Sequence, residues 1–182
     1  TQIADLHQQN SQKILDYANN LLEGLNSVNE LFQNEKPEFS IDEQILYRIV
    51  ENISLDFDKI NGGLKATNKF PMPSVYEFLL NYYFLKKDTI ILKHINLTLD
   101  SMAMGGIYDQ LGGGFARYAT DPQWKVPHFE KMLYDNAQLI SLYSNAYRLN
   151  PNSLHQKIVF DTIDFLKREL WTGKGNGYFC AL

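Results

Sequence analysis

The residues best suited to chemistry lie close together, between positions 105 and 136 of a chain of 182 residues. This stretch carries groups that can exchange protons, form hydrogen bonds or stack on a ligand: Asp109, Gln110, Arg117, Tyr118, Asp121, Trp124, Lys125, His128, Glu130, Lys131, Tyr134, Asp135 and Asn136. Binding and catalytic residues are often found on loops of this kind. We therefore predict that the stretch contains the functional site.

His128 is the strongest candidate for acid–base catalysis, because an imidazole with an ordinary pKa of about 6.5 exchanges protons near neutrality. If Pro127 lies in the first turn of the helix predicted here, steps of three and four residues place His128, Lys131 or Met132, and Asp135 on one face. The predicted catalytic set is His128 with Glu130 and Asp135 as the carboxylates that orient it. The alternative is a hydrogen-bonded structural histidine beside structural ion pairs.

The other polar and aromatic side chains of the stretch are predicted to bind the substrate. Charged and amide groups can bind hydroxyls or anions, and rings can stack on a flat or sugar-like ligand. This predicted set consists of Asp109, Gln110, Arg117, Tyr118, Trp124, Lys131 and Tyr134. The five glycines between positions 105 and 114 allow the loop to fold tightly against a ligand or a helix.

The sequence predicts neither a cofactor nor a metal site. The glycine spacing matches neither the dinucleotide fingerprint nor a P-loop. His128, Glu130 and Asp135 offer nitrogen and oxygen ligands, but the other three histidines lie in ordinary helical contexts. The single cysteine, Cys180, excludes an intrachain disulfide and a multi-cysteine metal site.

Helical periodicity dominates the remainder of the chain. The predicted helices cover residues 11–33, 41–55, 74–87, 89–104, 129–149 and 154–171. Ser74 with Glu77 fits a capping box, and Asp88 fits an N-cap. Short connections alternate with the long loops 56–73 and 105–128, which is typical of stacked helical hairpins. No internal repeat in the sequence is clear enough to identify a repeat family.

Composition indicates one folded domain, with 45% hydrophobic and 21% charged residues. The net charge of −4 gives no reason to expect nucleic acid or an anionic membrane as a partner. No apolar run reaches the roughly 20 residues of a membrane span. The chain starts at Thr1 without an initiator methionine, so we expect that the native N-terminus is missing. We expect a cytoplasmic location.

The stretch GGIYDQLGGGFARYATDPQWKVPHFEKMLYDNAQL, residues 105–139, resembles the signature of a family of thioredoxin-domain-containing proteins that includes spermatogenesis-associated protein 20. Residues 61–80 and the closing GNGYFCAL resemble that family too, so the similarity covers most of 50–182. The resemblance implies an N-terminal thioredoxin-like domain, absent here, followed by an (α/α)6 toroid. Such toroids are similar to six-hairpin glycosidases and to N-acylglucosamine and cellobiose 2-epimerases. We therefore expect an all-α chain whose helical hairpins form about half of a toroid.

Two functional hypotheses follow. The resemblance implies a carbohydrate-active domain, a sugar epimerase or isomerase or a glycosidase-like enzyme, that binds a carbohydrate-like small molecule. The alternative is a non-catalytic helical module, in which the stretch at 105–136 is structural and the partner is another protein or a small ligand. An open pocket shared by His128, Glu130, Asp135 and Arg117 would favour the first hypothesis.

Half a toroid would expose apolar edges. We therefore expect contacts with the rest of a longer chain or a homodimer, and no catalysis by this chain alone.

Overall fold

The computed structural model describes residues 11–31, 43–173, 175 and 177–182. Within them the chain forms six α-helices: α1 Ser11–Leu31, α2 Glu43–Leu55, α3 Pro73–Lys86, α4 Thr89–Met104, α5 Leu133–Leu149 and α6 Ser153–Phe165, which continues as a π-helical turn, Leu166–Leu170. The described residues contain isolated β-bridges but no strand. The all-α prediction is confirmed.

The chain divides into two compact units, Thr1–Leu46 and Tyr47–Leu182. In the first unit, α1 exposes apolar side chains such as Leu15 and Leu25. All contacts discussed below lie within the second unit. No described helix is both long and apolar enough to cross a membrane.

The core of the second unit lies where two helical hairpins pack together. α3 pairs with α4 and α5 pairs with α6, and α3 also packs on α5 while α4 packs on α6. Tyr143 of α5 is fully buried, and its hydroxyl donates a hydrogen bond to the carbonyl of Leu99 in α4 at 2.7 Å. This bond satisfies a polar group in an otherwise apolar core, where an unpaired hydroxyl would be costly.

Two helix starts illustrate where local signals succeed and fail. Asp88 caps α4 as predicted, because its carboxylate accepts hydrogen bonds from the first backbone N–H groups of that helix. The predicted capping box of Ser74 and Glu77 is wrong. Met72, in a left-handed conformation, precedes α3 and provides no side-chain cap, and Pro73 occupies the first turn. Because proline has no N–H, α3 begins with one donor fewer to satisfy.

The start of α5 differs most from the prediction. The helix begins at Leu133, about four residues later than expected. The preceding residues are not helical and pair with distant parts of the chain, with Pro127 bridged to Ala119 and Met132 to Ala181. His128 and Lys131 therefore lie before the helix and do not share a helical face with Asp135.

A tight turn is repeated at the ends of α2, α4 and α6. We call these turns the glycine hairpins: the first is Phe57–Leu64, the second Tyr108–Phe115 and the third Trp171–Tyr178. In each, the first and last residues form an antiparallel β-bridge. The sequences FDKINGGL, YDQLGGGF and WTGKGNGY share aromatic or apolar ends and glycine before the closing residue.

A buried lysine closes the first glycine hairpin. Lys69, only 1% exposed, donates to the Asp58 carboxylate at 2.6 Å and to the carbonyl of Gly62. Its ammonium also lies 5.4 Å from the centre of the Trp124 ring. Burial would raise the pKa of Asp58, but hydrogen bonds from the Asn61 backbone and from Lys69 outweigh it and hold that pKa well below its usual range. We call this pair the first clasp.

The second glycine hairpin is closed in the same way. Lys131 donates to the Asp109 carboxylate at 2.8 Å and to the carbonyl of Gly113 at 2.9 Å, and it lies 4.6 Å from the centre of the Phe165 ring. Gly113 is the counterpart of the first hairpin's acceptor glycine, and both have φ between 70° and 75°. We call Asp109–Lys131 the second clasp. Each clasp ties a glycine hairpin to the segment that leads into the next helix.

We predict that Lys69→Met lowers the free energy of unfolding by about 3 to 5 kcal/mol, because it leaves the Asp58 carboxylate without its cation in a site from which water is largely excluded. Urea unfolding at pH 7 measures this change. Lys65→Met is the matched control, since Lys65 is exposed in the same loop. We expect the control to change stability by less than about 1 kcal/mol. Equal stability of the two variants would contradict the clasp.

Candidate functional site

The structure divides the predicted site residues into two groups. One group makes structural contacts with the loops and with the end of α4: Asp109, Gln110, Trp124 and Lys131. The other group lies in the segments before α5 and at the start of that helix. Together with Phe70 we call this group the Arg117 cluster. It consists of Phe70, Arg117, Tyr118, His128, Glu130, Tyr134 and Asp135.

Trp124 belongs to the core and not to a binding surface. It is fully buried, adopts a left-handed φ of 64°, and donates from Nε1 to the carbonyl of Asn61 at 2.9 Å. A Cβ added to Gly63 would lie 2.6 Å from the Trp124 ring, so the glycine makes room for the indole. The predicted role of Trp124 as a stacking wall is thus corrected, because a ring with no free face cannot stack on a ligand.

Gln110 and the second clasp are also structural. The Gln110 side-chain amide donates to the carbonyls of Ala103 and Gly105, where it satisfies free carbonyls at the end of α4. The arrangement of the Asp109–Lys131 pair is also found in the first clasp, which lies in a loop where the sequence predicted no chemistry. A contact that recurs in two glycine hairpins indicates a structural role for both residues, while their predicted role in substrate binding stays a prediction.

A stack of three rings forms one side of the Arg117 cluster. Phe70 and Tyr118 stack with ring centres 4.6 Å apart, and Tyr118 stacks on His128 at 4.7 Å. Backbone pairing sets this register: Lys69 exchanges two hydrogen bonds with Ala119, and the His128 N–H donates to the Tyr118 carbonyl. Phe70 is absent from the predicted site, because the pairing that brings it there is long-range.

Charged groups form the other side of the cluster. The Arg117 guanidinium lies 3.8 Å from a Glu130 oxygen and 5.8 Å from the centre of the Tyr134 ring. Both members of this ion pair are partly exposed, so the pair contributes little stability and can be exchanged for contacts to a ligand. Arg117 and Asp135 also face a pocket of about 170 Å³, whose lining is Phe70, Pro71, Met72, Pro73, Ser74, Arg117, Asp135 and Leu139.

Asp135 has the most unusual environment in the cluster. Its Oδ2 atom is buried and has no hydrogen-bond partner among the residues that the structure describes. Burial raises the pKa of the Asp135 carboxyl, the Arg117 charge lowers it, and the Glu130 charge raises it, with a net upward shift. A carboxyl of this kind is protonated more readily than an ordinary aspartate, so it can donate a proton as well as accept one.

The geometry brings the predicted catalytic residues together only in part. Arg117 and Asp135 both line the pocket, and Glu130 is next to it through its ion pair with Arg117. His128 is exposed and joins the cluster through its stack on Tyr118. Within the described part of the chain, no hydrogen bond links the His128 ring to either carboxylate, so the predicted orienting contact is not formed.

Asn136 is a residue whose role the sequence did not reveal. It is fully buried; its side chain accepts from the Phe115 N–H at 2.7 Å and donates to the carbonyls of Phe115 and Met132. These bonds anchor the start of α5, and with it the neighbouring Asp135, to the segment that carries Arg117. The described residues contain no group of three His, Cys, Asp or Glu side chains placed to hold a metal ion.

We predict that the second clasp makes stability depend on acid pH. Hydrogen bonds from Gly112 and Lys131 lower the pKa of Asp109 to about 2. In the unfolded chain it is about 3.9. The carboxylate's contribution is therefore complete above about pH 5 and is lost as the pH falls from about 4 towards 2. Urea unfolding between pH 7 and pH 3 should show a weaker pH dependence for Asp109→Asn than for the native chain. An unchanged dependence would contradict the pairing.

Sequence comparison finds relatives over most of the chain. Human spermatogenesis-associated protein 20 is 38% identical over 138 residues, which is 74% of this chain and 17% of the human protein. The rat protein is 30% identical over 183 residues, 98% of this chain and 23% of its own length. An uncharacterized protein of Caenorhabditis elegans is 38% identical over 149 residues, 76% of this chain and 20% of its own. The chain thus spans about a fifth of these relatives' lengths. No protein-family model matches it.

Solved structures share the fold. Cellobiose 2-epimerase from Spirochaeta thermophila has a TM-score of 0.66 and 16% identity, over 74% of this chain and 36% of the epimerase. A D-mannose isomerase has a TM-score of 0.61 and 16% identity, over 81% of this chain and 41% of the isomerase. A family 76 glycoside hydrolase (mannosidase) from Bacteroides thetaiotaomicron has a TM-score of 0.55 and 14% identity, over 70% of this chain and 38% of the hydrolase. The predicted fold, helical hairpins of an (α/α)6 toroid, is confirmed.

Proposed function

We propose that this chain, a homologue of a segment of spermatogenesis-associated protein 20, contributes part of a sugar-binding site to a toroidal domain. The observation that carries the proposal is the pocket between Arg117 and Asp135, next to the stack of Phe70, Tyr118 and His128. The fold shared with a cellobiose 2-epimerase, a D-mannose isomerase and a mannosidase supports the substrate class. Shared fold is an analogy, so the site chemistry must support the proposal independently.

The chemistry of the cluster suits a carbohydrate. A pyranose ring has apolar C–H faces, which stack on aromatic rings, and hydroxyls at its edge, which bind charged side chains. Phe70, the outer ring of the stack that lines the pocket, offers the stacking surface, while Arg117 and the two carboxylates offer donors and acceptors. The pocket of about 170 Å³ is smaller than a typical ligand site, so the chain would hold only part of a sugar.

The proposed chemistry is proton transfer. Epimerisation or isomerisation removes a proton next to a carbonyl group and returns it, and glycoside hydrolysis requires protonation of the leaving oxygen. His128 is proposed as the acid/base because it is the exposed outer ring of the stack, and Asp135 as a second proton donor because its carboxyl lines the pocket and burial raises its pKa. Arg117 would stabilise negative charge that develops on a sugar oxygen.

The second candidate function is a non-catalytic module. The observation that favours it is that Asp109, Gln110, Trp124 and Lys131 are all held in structural contacts. These contacts account for four of the ten predicted site residues, while the Arg117 cluster remains accessible. We therefore propose that the residues between 105 and 136 both stabilise the toroid fold and contribute to a binding site.

The chain covers 36% to 41% of the toroid structures compared above, so the remaining walls of a central cavity would come from elsewhere. We propose that the longer protein turns over a sugar and that this chain alone does not. Robust turnover by the 182-residue chain would contradict that part of the proposal.

We predict that Arg117→Ala in the longer protein weakens binding of mono- and disaccharides at least tenfold, because it removes a charged hydrogen-bond donor from the pocket. Isothermal titration with a panel of neutral sugars measures the dissociation constants. Lys125→Ala is the control, since Lys125 is an exposed cation in the same loop outside the pocket. Equal losses in both variants would point to non-specific electrostatics.

We predict that His128→Ala lowers turnover of whichever sugar binds by about a hundredfold or more, while binding weakens only a few-fold. Proton exchange at the sugar carbon, followed by NMR in deuterated water, measures the catalytic step directly. Equal binding and turnover in the variant and the native protein would rule out His128 as the acid/base and favour the non-catalytic function.

A further inference from the structure

A second pocket lies between α3 and α5, and the proposed function leaves it without a role. Its volume is about 430 Å³, compared with about 170 Å³ for the pocket between Arg117 and Asp135. Small-molecule sites have volumes of roughly 300 to 1,000 Å³, a range that the second pocket reaches and the first does not. We call the second one the Glu77 pocket. The polar and aromatic residues in its lining are Glu77, Asn81, Phe84, Asn145 and Arg148.

The two pockets adjoin along the same pair of helices. α3 contributes Ser74 to the first pocket and Glu77 to the second, and these residues lie one helical turn, about 5 Å, apart. α5 contributes Asp135 to the first pocket and Asn145 to the second. From Ser74 to Phe84 the groove follows α3 for about 15 Å. This length exceeds that of one pyranose ring and accommodates two linked rings.

The Glu77 carboxylate is held in a fixed orientation by α5. Its Oε1 atom accepts hydrogen bonds from the Ser141 hydroxyl at 3.2 Å and from the Asn145 amide at 3.1 Å, and the same amide lies 3.2 Å from Oε2. Each carboxylate oxygen can accept more than one hydrogen bond, so the group can still accept from hydroxyls of a ligand. A polar group that is oriented in advance on packed helices is suited to precise binding.

Arg148 places a positive charge in the same pocket. Its guanidinium is exposed, and among the described residues neither Arg148 nor Glu77 belongs to an ion pair. Two opposite charges therefore line one cavity without pairing directly. Because these charges sum to zero, the pocket favours a neutral ligand rich in hydroxyls over phosphate or another anion.

Phe84 and two leucines give the pocket its apolar surface. The Phe84 ring is 59% exposed, and Leu80 and Leu149 line the pocket beside it. The Lys87 ammonium lies 4.8 Å from the centre of the Phe84 ring, so a ligand in the pocket meets the edge or the other face of that ring. The C–H face of a sugar ring packs well on such a surface.

We propose that the Glu77 pocket is a second sugar subsite, so that the ligand is a disaccharide or a longer oligosaccharide. The inference rests on the proposed function, and it adds the length of the ligand and the residues that select it. Each pocket combines an aromatic ring, a carboxylate and a guanidinium: Phe70, Asp135 and Arg117 in the first, and Phe84, Glu77 and Arg148 in the second. The reacting sugar unit would lie between Arg117 and Asp135, and the next unit between Glu77 and Arg148.

The alternative role for Glu77 is a polar tie that only holds α3 against α5. Such a tie needs hydrogen bonds, but it needs neither a net charge nor Arg148, which takes no part in these bonds. The two roles differ in what Glu77→Gln changes. Loss of a tie lowers stability, whereas loss of a ligand contact lowers the affinity for the longer sugar selectively.

Isothermal titration of the longer protein with glucose, cellobiose, mannose and mannobiose tests the proposal. The quantity compared is the ratio of monosaccharide to disaccharide dissociation constants. In the native protein we expect at least one disaccharide to bind about tenfold more tightly than its monosaccharide, because it gains charged hydrogen bonds. Arg148→Ala should reduce this preference to about twofold or less. Lys93→Ala is the control and should keep the full preference, since Lys93 is exposed on α4 outside both pockets.

Glu77→Gln is a second variant, which keeps the shape of the side chain. It should lower the disaccharide preference with little change in the midpoint of thermal unfolding. A lower midpoint with an unchanged preference would assign Glu77 to the tie and overturn the subsite.

Equal affinities for each monosaccharide and its disaccharide in the native protein would also overturn the subsite. If Arg117→Ala still weakened both, the proposed function would remain intact. Absence of binding by all four sugars would overturn the proposed function together with the subsite. Competition by inorganic phosphate that Arg148→Ala abolishes would assign an anion site to the Glu77 pocket and overturn the proposal.

Discussion

The pairing of a buried lysine with an aspartate in a glycine turn is the interaction on which the rest of the second unit depends. Burial of Lys69 is costly unless its charge is neutralised and its protons are accepted. Asp58 and the carbonyl of Gly62 meet both needs, and they do so only when the turn has its left-handed glycine conformation. The clasp therefore fixes the turn, the entry into the next helix and the contact between them. Asp109 and Lys131 repeat that arrangement one helical hairpin later.

The Arg117 cluster occupies positions where the repeats differ. The second and third residues after the first glycine hairpin are Ala66 and Thr67, whereas after the second hairpin they are Arg117 and Tyr118. The clasps lie directly beside cluster residues, since Phe70 follows Lys69 and Glu130 precedes Lys131. The repeated turns and clasps thus hold side chains that have no equivalent in the other repeat. A site can be added to a fold in this way without changing its framework.

Sequence reasoning predicted the helices well because their signals are local, as with Asp88 at the start of α4. The toroid came from resemblance, since no local rule joins helical hairpins into a ring. The start of α5 was missed because Pro127 fits the first turn of a helix, while the pairing of Pro127 with Ala119 that keeps it extended is long-range. Nor can sequence alone distinguish a buried ring such as Trp124 from an exposed one such as Trp171. The sequence alone does not reveal the repeated turns, because they share only a few residues and begin at the unequally spaced positions 57, 108 and 171.

The order of the repeated contacts along the chain has a consequence for synthesis on the ribosome. Each glycine hairpin emerges before the helix that covers it, as Phe57 and Gly63 precede α4. A nascent chain would therefore always end in one uncovered turn, and each newly made helical hairpin would bury the previous turn while exposing the next. Folding would proceed from the N-terminal side in steps of one repeat, as it can in proteins whose repeats contact only their neighbours.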